Sequence, residues 1–186
     1  MSWEEELAAL VPCYDENGGN ATLIYSAGGA VEADRRSVKA NLRRLARFYQ
    51  VDLEAARRRY GQYLGRAQGV PLPFSLSLVL VPVKMRVPVG KNDGADGYVN
   101  PGAVQGCLEA DPGEEPVRSF LLLKGGHRLP CYLKADTVNR RLKTGLLVHD
   151  HYRREVALKG DPPYWSLLER ILELVIKKGS SNGRAP

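Results

Sequence analysis

Apolar positions between Val38 and Tyr49 recur at helical spacing. On a wheel of about 100° per residue, Val38, Leu42, Leu45, Ala46 and Tyr49 share one arc, while Arg36, Arg43, Arg44 and Arg47 fall on the opposite side. A second stripe, Leu53, Ala56, Tyr60, Tyr63 and Leu64, follows after only Gln50 and Val51, so the pattern predicts two consecutive helices in a helix-turn-helix-like pair. Asp34 and Asp52 are the expected N-caps, because a carboxylate there accepts from an orphan backbone N–H and favours the positive end of the helix. Glu54 and Arg58 have i, i+4 spacing, and Gly65 stands where a C-terminal cap is needed.

Elsewhere the pattern alternates between short apolar runs and turn residues. Ser2 and Glu5 have capping-box spacing ahead of Leu7, Ala8, Ala9 and Leu10, which predicts a short N-terminal helix ended by Pro12. After the turn residues Asp15 to Asn20, the runs Thr22 to Tyr25 and Ala30 to Ala33 flank Gly28 and Gly29 as the arms of a hairpin. Leu76 to Val83 reads as a strand with Pro82 at an edge or bulge, because proline lacks the ladder donor; Gly90 to Gly102 reads as a loop. Strands are expected at Ala103 to Leu108 and Val117 to Leu123, with an acidic loop, Glu109 to Glu115, between them. Lys124-Gly125-Gly126-His127 turns the second of these into Leu129 to Leu133. Asp136 is the expected cap of a third helix, whose Val138, Leu142, Gly145, His149 and Tyr152 share a face. A last helix opens at Asp161-Pro162 and ends at Gly179; its apolar arc is wide enough for either a core helix or one completed by a second copy. The elements together predict an α+β fold, an antiparallel sheet built from hairpins with helices packed beside it. Residues 1–179 form a single domain in this reading, and 180–186 a flexible polar tail.

Composition narrows the class without naming a function. With 44% hydrophobic and 26% charged residues in 186, the chain is that of an ordinary soluble globular protein. Cys13, Cys107 and Cys131 are odd in number and far apart, which supports neither a disulfide framework nor a zinc knuckle and fits reduced thiols in a cytoplasm. Glu4, Glu5 and Glu6 stand where a signal peptide would be basic, and no apolar run approaches the roughly 20 residues of a membrane span, so neither export nor membrane insertion is expected.

Charge changes the picture more. Asp34 to Arg66 holds ten Lys and Arg against three acids, a net of +7 in a chain that nets +6. Such a concentration on two helices is either a solvated face or a surface that attracts polyanions. Lys134 to Lys159, with seven basic and three acidic residues, is a second and weaker positive zone.

Candidate chemistry adds little. The Gly90–Gly102 loop fails the calcium pattern, which in a register starting at Asn92 puts Gly94 at the third position and Ala103 at the twelfth, where a bidentate Glu is required, and it lacks the Lys and Ser/Thr of a phosphate-binding loop. His149 and His151 point about 160° apart on a helix and cannot share a metal there. Cys107, Cys131 and His127 carry no local nucleophile signature. No catalytic residue, metal or cofactor is expected.

Three segments resemble the ComK family of competence transcription factors. They are Tyr60 to Arg66 (YGQYLGR), Leu78 to Pro82 (LVLVP) and the turn Gly125-Gly126-His127-Arg128-Leu129-Pro130, which is followed by Asn139, Arg140 and Leu146; the likeness runs from Thr22 to about Tyr152. The resemblance implies an oligomeric regulator of DNA-uptake genes that binds double-stranded DNA at A·T-rich promoter elements and bends it through minor-groove contact. The chain departs from the family at Gly97-Tyr98-Val99, where a cysteine-tryptophan pair is usual, which leaves partner contacts and target sequence open. The Gly125 turn is also similar to the strand pair of LytTR output domains, although no receiver domain accompanies it. The candidate DNA-binding residues are Arg36, Lys39, Arg43, Arg44, Arg47, Arg58, Arg59, Arg66, Arg140 and Lys143. The alternatives are a non-specific RNA-binding or nucleoid-type protein using the same basic face, and an enzyme of unrecognised type.

Overall fold

The computed structural model describes residues 3–91 and 93–159. The chain divides at Asp150 into two units, Met1–Asp150 and His151–Pro186; the helix expected from Asp161 and the tail from Ser180 lie outside the described residues. The fold is α+β, with antiparallel strands in two sheets.

The first apolar run is a strand and not a helix: β1 spans Leu7–Tyr14 and pairs with β2, Asn20–Ser26, which pairs in turn with β3, Val31–Asp34. The reason lies in its position. β1 sits inside a six-stranded sheet covered on both faces, so Leu7 to Val11 are all buried and the alternation that marks a half-exposed strand is lost. The hairpin about Gly28-Gly29 is present between β2 and β3. Helices α1, Val38–Phe48, and α2, Leu53–Leu64, follow. Strands β4, Leu72–Pro73, β5, Val79–Lys84, and β6, Asp96–Val99, then complete the sheet in the order β3-β2-β1-β6-β5-β4. Strand β6 lies within the segment read as a loop and joins the two halves of the sheet. Its Gly97 is required there, since a Cβ would lie 2.8 Å from the Leu10 carbonyl oxygen and against the Met85 sulfur.

A 3-10 turn, Pro101–Ala103, leads to a second sheet of β7, Val104–Glu109, β8, Ser119–Leu123, and β9, Arg128–Cys131. The last described element is α3, Ala135–Lys159, longer than the face predicted to end at Tyr152. Asp136 lies in its first turn and is not its cap; the Ala135 amide donates instead to Glu109 Oε1 at 3.0 Å.

The six-stranded sheet separates two cores. On one side Leu10, Ile24 and Leu80 pack against Val38, Leu42 and Leu45 of α1. On the other, Ala9, Val11, Val81, Val83 and Val99 pack against Leu121, Leu123 and Leu129 of the small sheet and Val138 and Leu142 of α3. Gly145 lets α3 come down on β5, because a Cβ there would collide with Val81 and press on Pro101. The two glycine turns meet: a Cβ on Gly125 would lie 2.7 Å from Gly29 Cα, and His127 Nε2 donates to the Gly29 carbonyl at 2.7 Å.

Two arginines complete the sheet where prolines and short partners leave it open. Pro82 lies beyond the reach of β4, and its carbonyl accepts from Arg141 Nη1 at 2.9 Å. Past Leu10, β1 has no partner on its β6 side, and the Cys13 carbonyl accepts from Arg86 Nη1 at 3.0 Å.

Candidate nucleic-acid interface

The helix pair is set by its ends. Ser37, not Asp34, caps α1, its Oγ accepting from the Ala40 amide at 3.3 Å. Asp34 instead accepts from the Arg36 amide at 2.8 Å. The chain leaves α1 through Gln50 in the left-handed region, φ 55°, with Val51 N–H donating to the Ala46 carbonyl at 2.8 Å and Gln50 N–H to Arg47 at 3.3 Å. That is a Schellman turn made without glycine. Asp52 then caps α2 through the Glu54 and Ala55 amides, and these bonds hold its carboxyl below the usual range. Gly65, at φ 63°, closes α2.

This short connection places the two helices side by side with a groove between them. Lys39, Arg43 and Arg47 of α1 and Arg57 of α2 line a hollow of ≈ 750 Å³ whose floor is Leu42, Ala46, Val51 and Leu53; Asp52 and Glu54 are its only acids among the described residues. All four cations are exposed. Arg57 is absent from the residues singled out in the sequence, yet its position is legible there: four residues after Leu53, it flanks the apolar stripe on the side of Leu53 and Leu64. Burial raises the Tyr98 phenol above its ordinary value, and the nearby Arg57 guanidinium offsets part of that rise.

The remaining candidates divide into exposed residues and residues held by the protein. Arg44 is half-buried: its Nη2 lies 3.1 Å from Glu4 Oε1, its Nη1 3.9 Å from Asp34, and its guanidinium 5.2 Å from the Trp3 ring. Arg36 is exposed but pairs with Asp34 at 3.2 Å. Arg66 turns inward, Nη2 donating to the Gly69 carbonyl at 2.9 Å, with Nε buried and unpartnered. Burial, then the nearby charge of Arg141, hold the Arg66 guanidinium below its ordinary value. Arg58 is exposed in the middle of α2, and Arg59 lies 5.9 Å from the Tyr60 ring. Arg140 and Lys143 are exposed on α3, where they line a separate hollow with Asp136 and Asn139. The two positive zones therefore belong to helices packed on opposite faces of the six-stranded sheet.

The side chains considered for other chemistry are occupied differently. Burial pushes the Cys131 thiol up to about 12 and raises Cys107, the reverse of an activated nucleophile, and His127 is engaged with Gly29. His149 Nε2 lies 3.2 Å from the Ser75 carbonyl, and His151 pairs with Glu155 at 3.4 Å. Among the described residues no group of three or more His, Cys, Asp or Glu is placed to hold a metal, and no helix is long and apolar enough to cross a membrane. Compared with family models, with curated proteins and with solved structures, the chain matches none.

Proposed function

We propose that the protein is a DNA-binding transcriptional regulator whose primary contact with the duplex is the α1–α2 groove. One observation carries this reading: Lys39, Arg43, Arg47 and Arg57, from two helices, converge on a single concave surface with two acids beside them among the described residues. Four exposed cations at one site attract phosphates from a distance and release counterions on contact, which a cationic face diluted by acids does not do. The groove supplies affinity and orientation; base preference needs a further element.

Arg140 and Lys143 supply it in this reading. Because their helix flanks the opposite face of the sheet, a duplex reaching both zones curves past the β4 edge, where the Arg141 guanidinium approaches Gly69 and the Gly69 carbonyl accepts from Arg66. Bending a site by 40–90° costs on the order of 1–6 kcal/mol, and the cost depends on the sequence bent. A preference for A·T-rich elements, which the likeness to the ComK family also implies, arises partly from that cost.

Competition binding with A·T-rich promoter DNA, random DNA and RNA at two salt concentrations tests the proposal. Tighter binding to the promoter DNA that persists at the higher salt supports it. Equal affinity for all three at each salt makes the protein a non-specific nucleic-acid binder, and no binding to any removes the reading altogether.

A further inference from the structure

A second cavity, of ≈ 480 Å³, lies beside the groove, between the start of α1 and the loop leading into β6. Lys39, Leu42 and Arg57 belong to the walls of both. Its volume is in the range of small-molecule sites, about 300–1,000 Å³. The walls are basic: Lys39, Arg57 and Arg86 face one carboxylate, Asp96. Arg86 is only 8% exposed and has no carboxylate within ion-pair distance among the described residues; its guanidinium spends its bonds on the Gly94 and Cys13 carbonyls and Asn20 Oδ1, stacked 4.3 Å from the Tyr14 ring. Asp93, bonded to Asn20 and Tyr14, is the carboxylate nearest this network but is not among the cavity's lining residues, so the lining carries three cations and one acid among the described residues. That balance favours an anion nearby.

Two further features point the same way. Ser37, Val38 and Lys39 put the N-terminal end of the 11-residue α1 into the wall, and the Val38 and Lys39 amides have no acceptor among the described residues. Backbone donors at the positive end of a helix are suited to phosphate. Leu42, Pro12 and the Tyr98 ring add an apolar surface to the same cavity.

We infer that this cavity binds a small phosphate-bearing anion, and that its occupant, by engaging Lys39 and Arg57, competes with nucleic acid for the groove. The binding stands on the cavity alone; the competition rests on the nucleic-acid reading above. A phosphate between Lys39 and Arg57 withdraws two of the four groove cations, and the loss of two phosphate contacts weakens duplex binding about tenfold or more at moderate salt.

Calorimetric titration of the full chain with inorganic pyrophosphate and with adenosine monophosphate tests the binding. One-to-one binding is expected, abolished by Ala95→Phe, which fills the cavity without altering charge, and retained by Arg118→Met with Lys124→Met, which removes two charges from the small sheet. Tighter binding of the nucleotide marks a ligand that uses the apolar wall, and equal or tighter binding of pyrophosphate marks a simple phosphate site. Heats that survive Ala95→Phe, or fall equally in both variants, assign the binding to diffuse surface charge and overturn the site. Thermal melts check that Ala95→Phe is folded; should it not be, Ser37→Asp, which keeps the α1 cap and places a negative charge in the wall, replaces it with the same expected loss. A titration in the presence of duplex DNA then tests the competition. Anion binding with DNA affinity unchanged overturns the competition and leaves the site, whereas no DNA binding in the absence of anion is a failure of the nucleic-acid reading alone.

Discussion

Arg44 Nη2 lies 3.1 Å from Glu4 Oε1, and Glu4 is nearly buried. The pair ties the middle of α1 to the segment before β1 and takes Arg44 out of the surface its neighbours Arg43 and Arg47 share. Arg44 therefore differs from Arg43, its neighbour in sequence, and from Arg47 in being held against a buried carboxylate. Arg44→Ala leaves a carboxylate with less compensation, and because the pair is partly solvated its loss costs on the order of 1–2 kcal/mol, between the values for exposed and buried pairs. Chemical denaturation should show that loss, while DNA affinity measured well below the melting temperature stays within about twofold of the parent, as expected for a cation that contacts no phosphate.

Arg43, Arg47 and Arg57 should behave the opposite way. Each Ala substitution is expected to leave stability nearly unchanged and to lower the dependence of log affinity on log salt by about 1. A salt series of fluorescence anisotropy measurements reads the slope directly. A triple variant that binds DNA as tightly as the parent would remove the groove from the interface.

Arg140→Ala with Lys143→Ala separates positioning from preference. If α3 helps to hold a bend, this variant loses more affinity for A·T-rich DNA than for random DNA, whereas the groove variants lose both alike. Competition binding with the two duplexes decides, and an equal loss on both would leave α3 as an extra phosphate contact.

Gln50 holds a backbone conformation that glycine adopts without strain, at φ 55° between the two helices. Gln50→Gly relieves that strain at the cost of greater freedom in the unfolded chain, for a net gain of about 0.5–1 kcal/mol. A rise in melting temperature with unchanged DNA affinity is the expected result; a fall would mean that the Gln50 side chain itself supports the turn.

Asp93 accepts from the Tyr14 hydroxyl at 2.6 Å, from Asn20 Nδ2 at 2.8 Å and from the Gly90 amide at 2.7 Å, and these bonds lower its carboxyl to about 2. A carboxyl whose folded value is depressed stabilises the fold above its unfolded value of about 4 and loses that contribution as pH falls toward 2. The loop from Gly90 to Asp96, which forms part of the second cavity's wall, should loosen over that window. Hydrogen exchange of its amides between pH 5 and 2.5 would show this, and Asp93→Asn should flatten the response.

Much of this molecule was legible in its sequence because the relevant signals are local. The α1 stripe from Val38 to Ala46, the Asp52 and Gly65 caps and the two glycine hairpins rest on side-chain period or on backbone conformations a few residues long, and each stands where its residues predict it. What only the tertiary structure decided depends on which surfaces meet. Burial of β1 on both faces erased the alternation that would have marked it as a strand, and the four-residue β6 owes its existence to β1 and β5 on either side rather than to its own propensity. The same holds for the charges. Arg43 and Arg44 are equivalent on paper, and Glu4, forty residues away, makes one structural and leaves the other exposed; Arg57 joins the groove only because the Gln50 turn folds α2 back beside α1. Periodicity says which face of a helix is polar, but the counter-charge that occupies a guanidinium is set by chain contacts too distant for any local pattern to record.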